Sequence, residues 1–84
     1  MENQPGKESV SEEITKLTIQ MEDLNERKNE CVKKVKELMA EENPGKGIFH
    51  HKEIFTLQQE RLTLEVQAEF CRKKINRLNL GYFE

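Results

Sequence analysis

Three stretches of this chain hold residues that could do chemistry. Gly45-Lys46-Gly47 puts a lysine between two glycines, the composition of a loop whose backbone amides grip a phosphate. His50-His51, taken with Cys31 and Cys71, offers the nitrogen and sulfur ligands that zinc prefers. Arg72, Lys73, Lys74 and Arg77 form the densest basic cluster and could meet an acidic surface or a nucleic-acid backbone.

Spacing argues against each. A nucleotide-gripping P-loop needs four residues between its glycines and a Ser or Thr after the Lys, but Gly47 follows Lys46. Asn43, Pro44, Gly45 and Gly47 therefore read as a turn. Adjacent histidines on a helix diverge by about 100°, whereas a metal needs them converging at i, i+4. The cysteines read as small buried hydrophobes, so no metal ligand is assigned. No aromatic residue interleaves with the basic cluster to stack on bases, and cations near a helix C-terminus complement its dipole. No Ser/His/Asp, Cys/His or paired-carboxylate set converges on a pocket. The expectation is no catalytic residue, no cofactor, no small-molecule substrate and no enzyme activity.

The elements are clearer than the chemistry. Residues 1–8 contain Pro5-Gly6 and no apolar period, and read as a flexible tail. Ser9 and Glu12 then fit a capping box opening a helix over about 9–42. Within it Val10, Ile14, Leu17, Met21, Leu24, Lys28, Cys31, Val35 and Leu38 recur at alternating spacings of four and three, the a/d seam of a heptad. Pro44 lacks an N–H and disfavours helical geometry at Asn43, so the first helix must stop there. A second seam of Ile54, Leu57, Arg61, Leu64, Ala68, Cys71, Ile75, Leu78 and Tyr82 predicts a helix over about 50–80, with Gly81 as its C-terminal cap. Folded antiparallel, the two seams pair layer by layer about residue 46, so that Leu38 meets Ile54, Cys31 meets Arg61 and Val10 meets Tyr82. The fold class is all-α: an antiparallel two-helix coiled-coil hairpin over 9–84, with its turn at 43–49. Ile48 and Phe49 are expected to cover the end of the seam.

The second helix has more apolar residues than a hairpin needs. Phe55, Leu62, Val66 and Phe70 fall within roughly 80° of one another at 100° per residue, nearly opposite the a/d seam. Such a stripe marks a partner surface: another helical protein or a second copy, completing a larger bundle. Lys28 and Arg61 interrupt the seams and are expected to set register.

Composition agrees with this reading. Hydrophobic residues make up 35% and charged residues 36%, too little apolar matter for a compact globule but suited to amphipathic helices sharing a seam. The net charge of −2 gives no global attraction to nucleic acid or anionic membrane. No apolar run approaches the roughly 20 residues that cross a bilayer, and no secretory leader is visible. An intracellular home follows, cytoplasm or nucleus. The pattern is similar to coiled-coil subunits of many eukaryotic assemblies and implies a non-enzymatic interaction subunit or adaptor. The alternatives are a parallel homodimer hinged at 43–47, or a nucleic-acid-binding module using residues 72–77.

Overall fold

The computed structural model describes residues 7–81 and consists of two long helices, α1 (Lys7–Glu41) and α2 (His51–Asn79), joined by a 3-10 turn over Pro44–Lys46. They pack on each other as an antiparallel hairpin, a rod of 71 × 18 × 16 Å. The extended parallel arrangement is not found: α1 is covered by α2 of the same chain. The reason is the turn, which reverses the chain instead of acting as a hinge.

The seam is the one the heptads predict. Leu17, Leu24, Cys31, Leu64, Ala68 and Cys71 are buried in one cluster, with Met21, Leu57, Ile75 and Leu78 packed against it. Val35 is also buried. Val10, Ile14, Leu38 and Ile54 are half-buried at the ends, where layers have neighbours on one side only. Tyr82, the expected partner of Val10, lies outside the described residues. The register is marked midway by Cys31, whose thiol feels Glu60 and Arg61 of α2. Further along, Leu17 and Leu24 share a groove with Cys71.

Four threonines sit inside these helices, although their hydroxyls compete with the backbone. Thr15, Thr18 and Thr63 each donate to the carbonyl four residues back, at 2.9, 2.8 and 3.1 Å, and Thr56 is exposed to solvent. α1 starts at Lys7, which corrects the expected start at Ser9: Ser9 is inside the helix and does not cap it. Lys7 and Glu8, assigned to the tail, are straight-chain residues with good helix propensity and extend the first turn. Residues 1–6 lie outside the described residues.

The turn satisfies its own backbone. Asn43 and Ile48 exchange N–H···O bonds of 2.9 and 3.0 Å. Gly47 N–H donates to the Pro44 carbonyl at 3.1 Å, and Lys46 N–H to the Asn43 carbonyl at 3.0 Å. The bonds from Ile48 to Asn43 and from Gly47 to Pro44 are the paired 6→1 and 5→2 closures of a Schellman motif. That motif requires a left-handed residue, and Gly47 supplies it at φ 70°. Gly81 does the same beyond α2 at φ 89°, as expected of a C-terminal cap. The Asn43–Ile48 pairing turns Ile48 and Phe49 outward, so they do not cover the seam. Both are exposed, and Phe49 stacks on His51 with ring centroids 5.0 Å apart.

The joint between the helices is closed by His50. Its backbone N–H donates to Glu42 Oε2 at 3.1 Å, while its ring nitrogens lie 3.5 Å from Glu41 Oε1 and 3.0 Å from Glu53 Oε1. Glu41 ends α1 and Glu42 follows it, where acidic side chains oppose the dipole. The antiparallel fold places them at the start of α2, whose dipole attracts them. The facing carboxylates of Glu41 and Glu53 have His50 between them. A hydrogen bond such as that from His50 to Glu42 contributes about 1 kcal/mol.

Candidate partner-docking face

The outward face of α2 follows from its heptad. Positions facing away from α1 recur at sevenfold spacing, and apolar residues there cannot reach the seam. Phe55, Leu62, Val66 and Phe70 are 64, 45, 55 and 67% exposed, whereas Leu64, between Leu62 and Val66, is 3% exposed. Leu62 and Val66 border a shallow depression of about 410 Å³ with Gln59, Thr63 and Gln67. Phe70 forms the lip of a groove of about 500 Å³ between the helices, floored by Leu17, Leu24 and Cys71. On α1, Ile19 and Met39 are exposed too, but on different faces.

Sequence reasoning missed one member of the stripe. Leu80, 73% exposed, continues in helical geometry just past α2 as its C-cap. Its offset from Phe55 brings it within about 20° of that residue at 100° per residue. The helix expected over about 50–80 already includes it, so the angular count that picked out Phe55 could have found it.

The seam's charged residues solve their burial differently. Arg61 runs its stem along the seam and turns its guanidinium to Gln58 Oε1 at 3.1 Å and Glu65 Oε2 at 3.2 Å, both on its own helix. Lys28 is half-buried.

The basic cluster divides: Arg72 turns aside to Glu69, while Lys73, Lys74 and Arg77 lie within about 100° of one another on one side of α2. Arg72 folds onto Glu69, donating through Nε at 3.1 Å to each carboxylate oxygen and through Nη2 to Oε2. That hydrogen bond holds the Glu69 carboxyl below its ordinary range and raises the Arg72 guanidinium. Lys74 lines the groove beside Phe70.

In the turn, the amides of Asn43, Lys46, Gly47 and Ile48 are spent on the turn's own carbonyls, so a phosphate would find few donors at Lys46. His50 and His51 diverge, one to the helix joint and one to Phe49. Among the described residues no group of three His, Cys, Asp or Glu is placed to hold a metal ion, and both cysteines are buried and unbridged. No described helix is long and apolar enough to cross a membrane. What remains as a candidate site is the outward stripe of α2. Comparison with family models, curated proteins and solved structures finds no match to this chain.

Proposed function

We propose that this protein is a non-enzymatic interaction subunit or adaptor. It packs the outward face of α2, through Phe55, Leu62, Val66 and Phe70, against a partner helix in a multi-subunit assembly. The observation that supports this reading is two large aromatics and two aliphatics exposed in one stripe, on a rod whose own seam is narrow. Covering them would add a second seam and supply stability that a lone hairpin lacks. Lys28 and Arg61 fix the register that keeps the stripe outward. The proposed home is the cell interior, cytoplasm or nucleus, where unpaired thiols such as Cys31 and Cys71 stay reduced. The nucleic-acid alternative is weaker, because Arg72 is occupied by Glu69 and no aromatic residue interleaves with the remaining cations to stack on bases.

The test is the double variant Leu62→Asp with Phe70→Asp, compared with wild type for helix content, mass in solution and binding of a leucine-seam amphipathic peptide. The variant should keep its helix content, because neither side chain enters the seam, and should lose any association by tenfold or more. If mass and peptide binding are both unchanged, the stripe is not a docking surface.

A further inference from the structure

The two sides of the hairpin, between its helices, are not alike. The groove beside Leu17, Leu24 and Cys71 is lined by Gln20, Asp23, Gln67 and Phe70, each the position immediately before a seam residue. Positions immediately after seam residues must then line the opposite side. On α1 seven of the nine positions before seam residues are charged, but only two of the nine after them, Glu22 and Lys36. In a chain that is 36% charged, a flank left to water has no reason to shed its charge.

These later positions recur at spacings of four and three, a second heptad seam beside the first. Thr18, Asn25 and Val32 on α1 and Gln58 on α2 are already half-buried along it. Rung by rung, Met39 lies across from Phe55 and Val32 from Leu62, so the apolar end of this side is next to the turn. Met39 and Phe55 are 52 and 64% exposed. Farther from the turn, Asn25 lies across from Glu69, and Glu22 from Arg72.

The same pairs select an occupant. A two-fold axis along the rod sets two hairpins side by side with their turns together. Helix α1 of each then meets α2 of the other at unchanged height. Met39 and Val32 meet Phe55 and Leu62 of the copy, Glu22 meets Arg72 of the copy, and among the described residues no rung brings like charges together. The other side fails the same operation: Glu37 would meet Glu53, Glu30 would meet Glu60, and Lys16 would meet Lys74. Like charges face to face exclude an arrangement, so only one side closes. Turned end for end over its full length, the copy would set polar Thr15, Thr18 and Asn79 against Met39 and Phe55.

Resting on the docking reading above for Phe55 and Leu62 alone, we infer that this side takes a second copy of the chain. The product is a four-helix bundle, with Val32, Met39, Phe55 and Leu62 of both chains as its added core. The polar rungs at Asn25 and Glu22 fix its register. Val66 and Phe70 lie farther round α2 and stay outside this contact.

The experiment measures mass in solution and helix content of the full chain. It compares wild type, Met39→Lys, Phe55→Glu and an equimolar mixture of those two variants. Wild type should have twice the mass of one chain. Neither substituted residue enters the hairpin's own seam, so each variant should keep its helix content while its self-affinity falls by about tenfold or more. The mixture should restore most of that affinity, because a heterodimer holds one native Met39–Phe55 rung and one lysine–glutamate rung. A mixture no tighter than its components overturns the inference, as does a wild type that is monomeric at millimolar concentration. Association that Phe70→Asp abolishes and Met39→Lys spares overturns it too, since the contact is then the outward stripe. The docking reading is judged separately, by peptide binding to wild type and to Leu62→Asp with Phe70→Asp.

Discussion

At the scale of single residues, the seam's most telling side chain is a thiol. Burial pushes the Cys31 thiol up, and Glu60 and Glu30 add to this, while Arg27 and Arg61 pull the other way. A raised thiol keeps its proton longer in the folded chain than in the unfolded one. As pH climbs past the ordinary thiol range, about 8.5, the unfolded state therefore ionises first and folding stability falls. Below that range Cys31 has no effect on the pH dependence. Urea unfolding at pH 7 and 9.5 should show a larger loss for wild type than for Cys31→Ala; equal losses would reject the assignment. Thiol-reactive labelling of the folded protein should also be slower than of the unfolded chain by at least an order of magnitude, since both cysteines are buried.

At the scale of elements, two leucines two positions apart separate structure from surface. Leu64→Ala removes the most buried side chain of the seam and should cost about 2–5 kcal/mol. Leu62→Ala, on the outward stripe, should cost within about 0.5 kcal/mol. Thermal unfolding of the two variants checks this contrast, and comparable losses would mean the heptad phase is wrong. That phase was legible in the sequence because the four-three spacing and the proline break are one-dimensional signals. The stripe at Phe55, Leu62, Val66 and Phe70 was legible for the same reason. What stayed hidden depends on three dimensions. The joint at His50 reads poorly because Glu41 and Glu42 at the end of α1 look unfavourable until the fold sets them beside the start of α2. The outward turn of Phe49 follows from the Asn43–Ile48 backbone pairing, which side-chain types do not announce. Leu80 was within reach of the same angular count, since the expected helix ran to about residue 80; the start at Lys7 reflects propensity outweighing a capping pattern.

At the scale of the whole molecule, the chain is a thin rod with two dissimilar sides. α1 turns mostly charged residues to solvent; α2 turns out the apolar stripe that runs from Phe55 to Leu80. The same geometry governs how the rod assembles. Because every layer pairs about the turn, the layer nearest it, Leu38 with Ile54, closes the shortest loop, residues 39–53, and each later layer closes on one already formed. Loop entropy is met once, at the turn, and the rest can zip. Folding kinetics should register this asymmetry. Val35→Ala, near the turn, should slow folding with a φ-value above about 0.5. Ile75→Val, towards the far end, should mainly speed unfolding with a φ-value below about 0.3. The Asn43–Gly47 bend, which has no chemistry of its own, would then be the place where the search for the native state begins.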